Sequence, residues 1–99
     1  MIMGSTPTHT FTIPFEASSV QKIRVSYGQN DKELVCKTER DCILNGDQVH
    51  CTLTQNDTLK FSYTKPLQIQ LKVKLDTGKV FLSDLVTCDV EYALCKEIL

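Results

Sequence analysis

The side chains best suited to chemistry in this chain are its five cysteines and two histidines, His9 and His50. His50 adjoins Cys51, and Cys42 lies one hairpin upstream. A structural zinc site needs about four converging ligands, which usually come in closely spaced pairs. No Cys-x-x-Cys pair occurs here, and adjacent residues of a strand point to opposite faces of its sheet. We therefore predict no metal-binding residues.

A cysteine nucleophile would need a base within hydrogen-bond reach, most often a histidine. Cys36 or Cys42 could meet His50 across a hairpin at Asn45–Gly46. However, the alternation that turns these cysteines inward turns His50 outward. Ser83–Asp84 lacks the flanking glycines of a nucleophile elbow, and no glycine-rich phosphate loop is present. We predict no catalytic residues, no cofactor or cofactor-binding residues, and a protein that is not an enzyme.

The cysteines instead match apolar positions of predicted strands. Their odd number and the lack of paired spacing argue against disulfides, and free cysteine is often a small buried hydrophobic residue. Four are predicted to face inward with apolar neighbours: Cys36 with Leu34, Cys42 with Leu44, Cys51 with Val49 and Leu53, and Cys88 with Val86 and Val90. Cys95 is out of phase with its neighbours, so we predict that it is exposed and reactive.

The clearest structural signal is the strand predicted at Leu67–Leu75. Its apolar residues occupy every second position, and glutamine or lysine occupies the positions between them. A period of two places all the apolar side chains on one face of a β-strand. This strand should therefore cover a core on one side and meet water or a partner on the other.

Turn-forming residues separate the remaining predicted strands. In chain order these strands are Thr10–Phe15, Val20–Tyr27, Glu33–Thr38, Cys42–Leu44, Gln48–Leu53, Thr58–Tyr63, Lys79–Leu82 and Thr87–Leu94. Pro14 marks the first as an edge strand, because proline has no N–H for a ladder bond. The Asn45–Gly46 pair is the strongest hairpin signal.

These elements predict an all-β fold. Ninety-nine residues make one domain, and two sheets packed face to face would bury the in-phase residues of both. We predict an immunoglobulin-like antiparallel β-sandwich of about seven or eight short strands, with a small β-barrel as the alternative. The Cys…Trp…Cys pattern of antibody domains is absent, so the likeness is one of architecture. The domain is expected over residues 10–94, with an N-terminal arm (1–9) and a C-terminal tail (95–99).

Charge gives little indication of a partner. The formal net charge is −1, which provides no general attraction to nucleic acid or an anionic membrane. Lys72, Lys74 and Lys79 are not interleaved with aromatic residues, so we interpret them as a solvated face. The first residues lack the basic and apolar regions of a signal peptide. We expect synthesis in a cytoplasm, with no nucleic-acid or membrane partner.

Four segments carry a resemblance to known proteins: Thr10–Phe15, Leu53–Leu59, Gln68–Val73 and Asp76–Lys79. Together with Ser83–Asp84 and the last strand, they make the chain resemble small β-sandwich proteins from the structural-gene regions of tailed phages and prophages of Gram-positive, gut-type bacteria. The resemblance covers residues 10–94 and consists of strand and turn patterns. It implies a virion component or assembly accessory, either capsid-decorating or tail-associated, and it implies no catalytic residues.

Two functions are expected on this basis. The first is a non-enzymatic structural or interaction module that works through its sheet edges and N-terminal arm. It would form homo-oligomers or bind capsid or tail proteins and become part of a virion. The alternative is a small cytoplasmic phage-encoded regulator that binds and blocks a host protein. Open strand edges recruit partner strands, which favours the first function.

Overall fold

A computed structural model describes all residues, Met1 to Leu99, and arranges them in two antiparallel β-sheets. The elements are β1 (Thr8–Thr12), a 3-10 turn (Ala17–Ser19), β2 (Val20–Gln29), β3 (Lys32–Thr38), β4 (Cys42–Asn45), β5 (Gln48–Thr52), α1 (Gln55–Leu59), β6 (Leu67–Leu75), β7 (Val80–Leu82) and β8 (Val86–Cys88). The three-stranded sheet has the order β1-β5-β4. The five-stranded sheet has the order β3-β2-β6, with β7 and β8 both paired to β6. The predicted all-β sandwich is confirmed.

The likeness to immunoglobulin domains is one of architecture, as expected. In an immunoglobulin constant domain the second strand lies in the sheet of the first and fifth strands. Here β2 lies between β3 and β6 in the other sheet. The only α-helix has five residues, too few to cross a membrane.

Strand β6 lies inside the five-stranded sheet, with β2 on one side and β7 and β8 on the other. Its burial alternates along its whole length, and all five apolar residues are 8% exposed or less. The strand predicted at Leu67–Leu75 is confirmed at both ends. Its inward face joins residues of both sheets in one core of 16 buried apolar residues.

The β2–β3 hairpin sets the direction of the side chains in β3. Asn30 and Asp31 both have positive φ, 53° and 60°, as a two-residue type I′ turn requires. Continued in the register of this turn, the ladder would set Leu34 opposite the buried Tyr27. A β-bulge between Tyr27 and Gly28 shifts the register and sets Val35 there instead. The run of apolar residues in β3 fits either face, and this pairing turns Val35 inward. The prediction that Cys36 faces inward is therefore wrong: Cys36 is partly exposed on the outer face.

Strand β1 is an edge strand, as Pro14 indicated, and it pairs only with β5. It spans Thr8–Thr12 rather than the predicted Thr10–Phe15. The ladder ends where the Ile13 N–H donates to the Asp47 carbonyl at 2.8 Å. Pro14 cannot extend it because proline has no N–H.

The strand predicted at Thr58–Tyr63 is wrong, because a capping box starts α1 just before it. The Thr54 hydroxyl accepts the Asp57 N–H at 3.1 Å, and the Asp57 carboxylate accepts the Thr54 N–H at 2.9 Å. Two reciprocal bonds satisfy donors that a helix start leaves free. Phe61, after the helix, still reaches the core at 1% exposure.

The last predicted strand is shorter than expected, because β8 ends at Cys88 and the chain then follows the N-terminal segment. The Met3 N–H donates to the Glu91 carbonyl at 3.1 Å, and the Met1 ammonium donates to the Asp89 carbonyl at 3.0 Å. Met3 is only 8% exposed. Residues 1–9 thus lie against their own domain.

Candidate functional site

The open edge of the five-stranded sheet consists of β7 and β8, which lie end to end along β6. β7 pairs with residues 72–74 of β6, and β8 pairs with residues 67–69. Between them, the Ser83 N–H donates to the Leu71 carbonyl at 2.9 Å. The Gln70 side chain donates to the Ser83 carbonyl at 3.0 Å. The other side of both strands has no partner strand in this chain.

This β7–β8 edge is apolar. Val80, Leu82, Leu85 and Val86 are 52%, 51%, 51% and 53% exposed. Proteins usually protect open edges with charged residues, proline, bulges or very short strands. β7 and β8 contain no charge and no proline, so the protection present is their three-residue length together with the exposed Lys79 before β7 and the exposed Asp84 between the two strands. The edge is therefore suited to pairing with another strand.

The other three edges are more polar. β3 carries Lys32, Glu33 and Lys37, and four of the five residues of β1 are polar. β4 has one strongly exposed apolar side chain, Ile43, at 70%. The apolar side chains are thus concentrated on the β7–β8 edge.

A second group of interest lies between the sheets, around Cys51. Cys42 is directly opposite Cys51 on β4, and His9 is opposite it on β1. Tyr27 reaches this group from the other sheet, and its hydroxyl lies 3.0 Å from His9 Nδ1. Sequence reasoning paired the cysteines with His50 and missed Tyr27, because contacts between two sheets leave no local pattern.

The environment of this group shifts several pKa values. Interaction with the Cys42 thiol, assisted by Tyr27 and Lys37, lowers the pKa of Cys51 to about 7 despite burial. The pKa of Cys42 is raised by Cys51 and by burial. Burial is the main cause of the raised pKa of Tyr27 and the lowered pKa of His9. The two thiols are thus coupled, because loss of a proton from one disfavours loss of a proton from the other.

The Cys51 thiol of this group is not accessible from solvent. Cys51 is 0% exposed, whereas a reactive thiolate must be reachable by its substrate. His50 lies on the opposite face of β5, where its Nδ1 is 3.0 Å from the Thr10 hydroxyl. Its predicted outward position is confirmed. The group therefore offers the Cys51 thiol no open face.

The remaining candidate residues are dispersed. Cys42 and Cys88 are partly buried against the core, and Cys95 is exposed, as predicted. The Ser83 hydroxyl accepts the Leu71 N–H at 2.9 Å and donates to the Asp84 carbonyl at 3.1 Å, so it holds the β7–β8 link. No three histidine, cysteine or acidic side chains are grouped so that they could hold a metal ion.

A mostly buried ion pair connects β3 to α1. Lys37 Nζ lies 2.7 Å from Asp57 Oδ2, and the two side chains are 15% and 10% exposed. Burial alone would raise the pKa of Asp57, but hydrogen bonds from Lys37 and Thr54 hold it below its usual value. The same hydrogen bond raises the pKa of Lys37. Both groups are therefore charged across the ordinary pH range.

Comparison with protein-family models, with curated proteins and with solved structures found no match. The function is therefore inferred from the geometry of this chain.

Proposed function

We propose that this protein is a non-enzymatic interaction module that assembles with further copies of itself through the β7–β8 edge. The observation that carries the proposal is an edge without a partner strand that exposes four apolar side chains by about half, with Val80 and Leu82 together on the outer face. Pairing such an edge satisfies its free N–H and C=O groups and removes apolar surface from water. Both effects favour the addition of a strand.

A second copy fits this edge by symmetry. β7 reads Val80-Phe81-Leu82, and an antiparallel pair of β7 strands centred on Phe81 would set Val80 of each copy opposite Leu82 of the other. Such a twofold contact uses the same surface on both copies and closes after two subunits. Val80 and Leu82 pair with Lys74 and Lys72, which face outward. The new contact would therefore form on the outer face of a continuous sheet.

The resemblance described above implies that the protein is a component or assembly accessory of a tailed-phage particle. In that setting, the dimer would attach to a capsid or tail surface. We assign the contact to the sheet edge and not to an N-terminal arm, because residues 1–9 are bonded to their own domain.

The test is the molar mass of the protein in solution, measured by light scattering over a range of concentrations in reducing buffer. We expect the wild-type chain to form dimers. Leu82→Lys places a charge in the centre of the apolar edge and should yield a monomer. Ile43→Lys is the matched control, since it makes the same change at the exposed position of β4 and should leave the dimer intact.

Wild-type protein that stays monomeric at every concentration would refute self-assembly through this edge. Dimers that persist in Leu82→Lys, or that disappear in Ile43→Lys, would place the contact elsewhere. If the monomeric protein instead captured one host protein at equal stoichiometry, the regulator alternative would replace the present proposal.

A further inference from the structure

Four cationic side chains form a compact block on the outer face of the five-stranded sheet. Lys22 is directly opposite Lys74, and Arg24 is directly opposite Lys72. From standard strand geometry, the two members of each pair are about 5 Å apart across the strands, and the two pairs are about 7 Å apart along the strands. Sequence reasoning grouped Lys72 and Lys74 with Lys79 and missed Lys22 and Arg24. The register that adds these two residues joins segments distant in the chain. We call these four residues the cationic block.

The block is unfavourable for the isolated fold, because like charges directly opposite on neighbouring strands repel each other. Two acidic residues offset this in part. Glu33 accepts a hydrogen bond from the Arg24 guanidinium at 2.7 Å. Glu39 lies close enough to Lys22 for that charge to help lower its pKa, although its backbone hydrogen bonds contribute more. Lys72 and Lys74 form no ion pair, and the block keeps an excess of positive charge on a chain whose net charge is −1.

A shallow groove lies over the block. Its volume is about 380 Å³, and its lining includes all four cations together with Thr38 and Glu39. Lysine and arginine groups around a concave surface donate charge-assisted hydrogen bonds to oxyanions, and the arginine fork suits phosphate oxygens in particular. The groove thus combines donors, positive charge and room for a small anion.

The surroundings of the block define the size of the ligand. Beyond Arg24 and Lys72, the next outward pair is Ser26 and Gln70, which are neutral. At the other end β6 stops and Asp76 follows. A nucleic-acid strand would need a longer basic track and aromatic side chains for stacking, and no aromatic residue lines this groove. The positive surface therefore matches a short anion of high charge density.

We propose that the cationic block is a binding site for a small polyvalent phosphate, such as two or three linked phosphate groups. Lys72 and Lys74 would contact the phosphate oxygens from β6, and Lys22 and Arg24 would contact them from β2. Bound phosphate would cancel the repulsion within the block. This inference does not rest on the proposed function, since all four cations belong to one chain, but the groove is also lined by Val80, which the proposed subunit contact uses.

The test is calorimetric titration of the full chain with inorganic tripolyphosphate at low ionic strength. We expect saturable one-to-one binding that weakens as salt is added. The double variant Lys72→Gln/Lys74→Gln should bind roughly tenfold or more weakly, because each lost charge-assisted hydrogen bond contributes substantially. Lys60→Gln/Lys65→Gln is the matched control, since it removes the same charge away from the groove and should bind as the wild type does.

Equal affinity in the Lys72→Gln/Lys74→Gln variant and the wild type would overturn the proposal, as would no saturable binding to the wild type. Equal weakening in the control variant would also overturn it, because only net charge would then matter. A single-stranded oligonucleotide serves as a competitor, and tighter binding of it than of tripolyphosphate would refute a compact ligand. Circular dichroism of each variant establishes that it is folded.

Discussion

The ion pair between Lys37 and Asp57 provides the sharpest test of how α1 is held against the sheet. Asp57→Asn keeps the shape of the side chain and an oxygen that can accept the Thr54 N–H, but it removes the negative charge. The Lys37 ammonium, only 15% exposed, then has no charged partner. The change thus isolates the ion pair from the helix cap.

The expected loss can be estimated from burial. Removing one partner of a fully buried pair costs about 3–5 kcal/mol, and since these side chains keep 10–15% exposure we expect a loss of about 3 kcal/mol. For a domain of this size, that lowers Tm by roughly 12 °C or more. The assay is urea unfolding followed by circular dichroism, with Lys37→Met/Asp57→Asn as the partner variant. Because methionine removes the unpaired charge, the double variant should be more stable than Asp57→Asn.

The effect should also depend on pH. The folded-state pKa of Asp57 is lowered. Its contribution to the free energy of unfolding is therefore complete above the unfolded-state pKa of about 3.9, and it is lost as pH falls through the folded-state pKa. The folded-state pKa of Lys37 is raised. Its contribution to the free energy of unfolding is therefore complete below the unfolded-state pKa of about 10.4, and it is lost as pH rises through the folded-state pKa. The difference between wild type and Asp57→Asn should therefore be largest between these limits and shrink in acid.

A loss below about 1 kcal/mol at neutral pH would refute this reasoning. It would mean that Lys37 swings into water and that the pair contributes no more than a surface salt bridge. A double variant less stable than Asp57→Asn would refute it as well, because the lysine would then stabilise the fold without its partner.

Three further predictions concern single residues. Gly28→Ala should destabilise the fold by about 1–3 kcal/mol in urea unfolding, since a Cβ would clash with the Lys32 carbonyl oxygen; unchanged stability would contradict this close approach. Lys72→Glu should stabilise the unliganded protein by about 0.2–1 kcal/mol by removing a like-charge pair, and the gain should shrink in high salt. Among the thiols, Cys95 should react first with a disulfide reagent and Cys51 only on unfolding; rapid labelling of Cys51 in the native state would show an opening that the fold lacks.

Local pattern was sufficient where apolar and polar residues alternate strictly along a strand. The alternation over Leu67–Leu75 predicted the limits of β6 and the direction of its side chains, because the period of two is a property of the strand itself. In β3, the local pattern does not decide which face is buried. Its apolar run fits either face, and only the pairing of Val35 with Tyr27 selected one.

The helix α1 shows a different limit. A capping box from Thr54 to Asp57 was present in the sequence, but the alternation from Thr58 onward favoured a strand. Two hydrogen bonds at a helix start, with a buried partner for Asp57, outweighed that pattern. Competing local signals of similar strength are decided by tertiary contacts.

The sequence alone determined the fold class, the main strands, their turns and the exposure of Cys95, because each follows from residues close together in the chain. Tertiary structure decided the grouping of Cys51 with Tyr27, the apolar β7–β8 edge and the cationic block. The block requires the register of β2 on β6, which pairs Lys22 with Lys74. Such registers depend on the packing of the whole core, since the energy that selects one is distributed over many distant contacts.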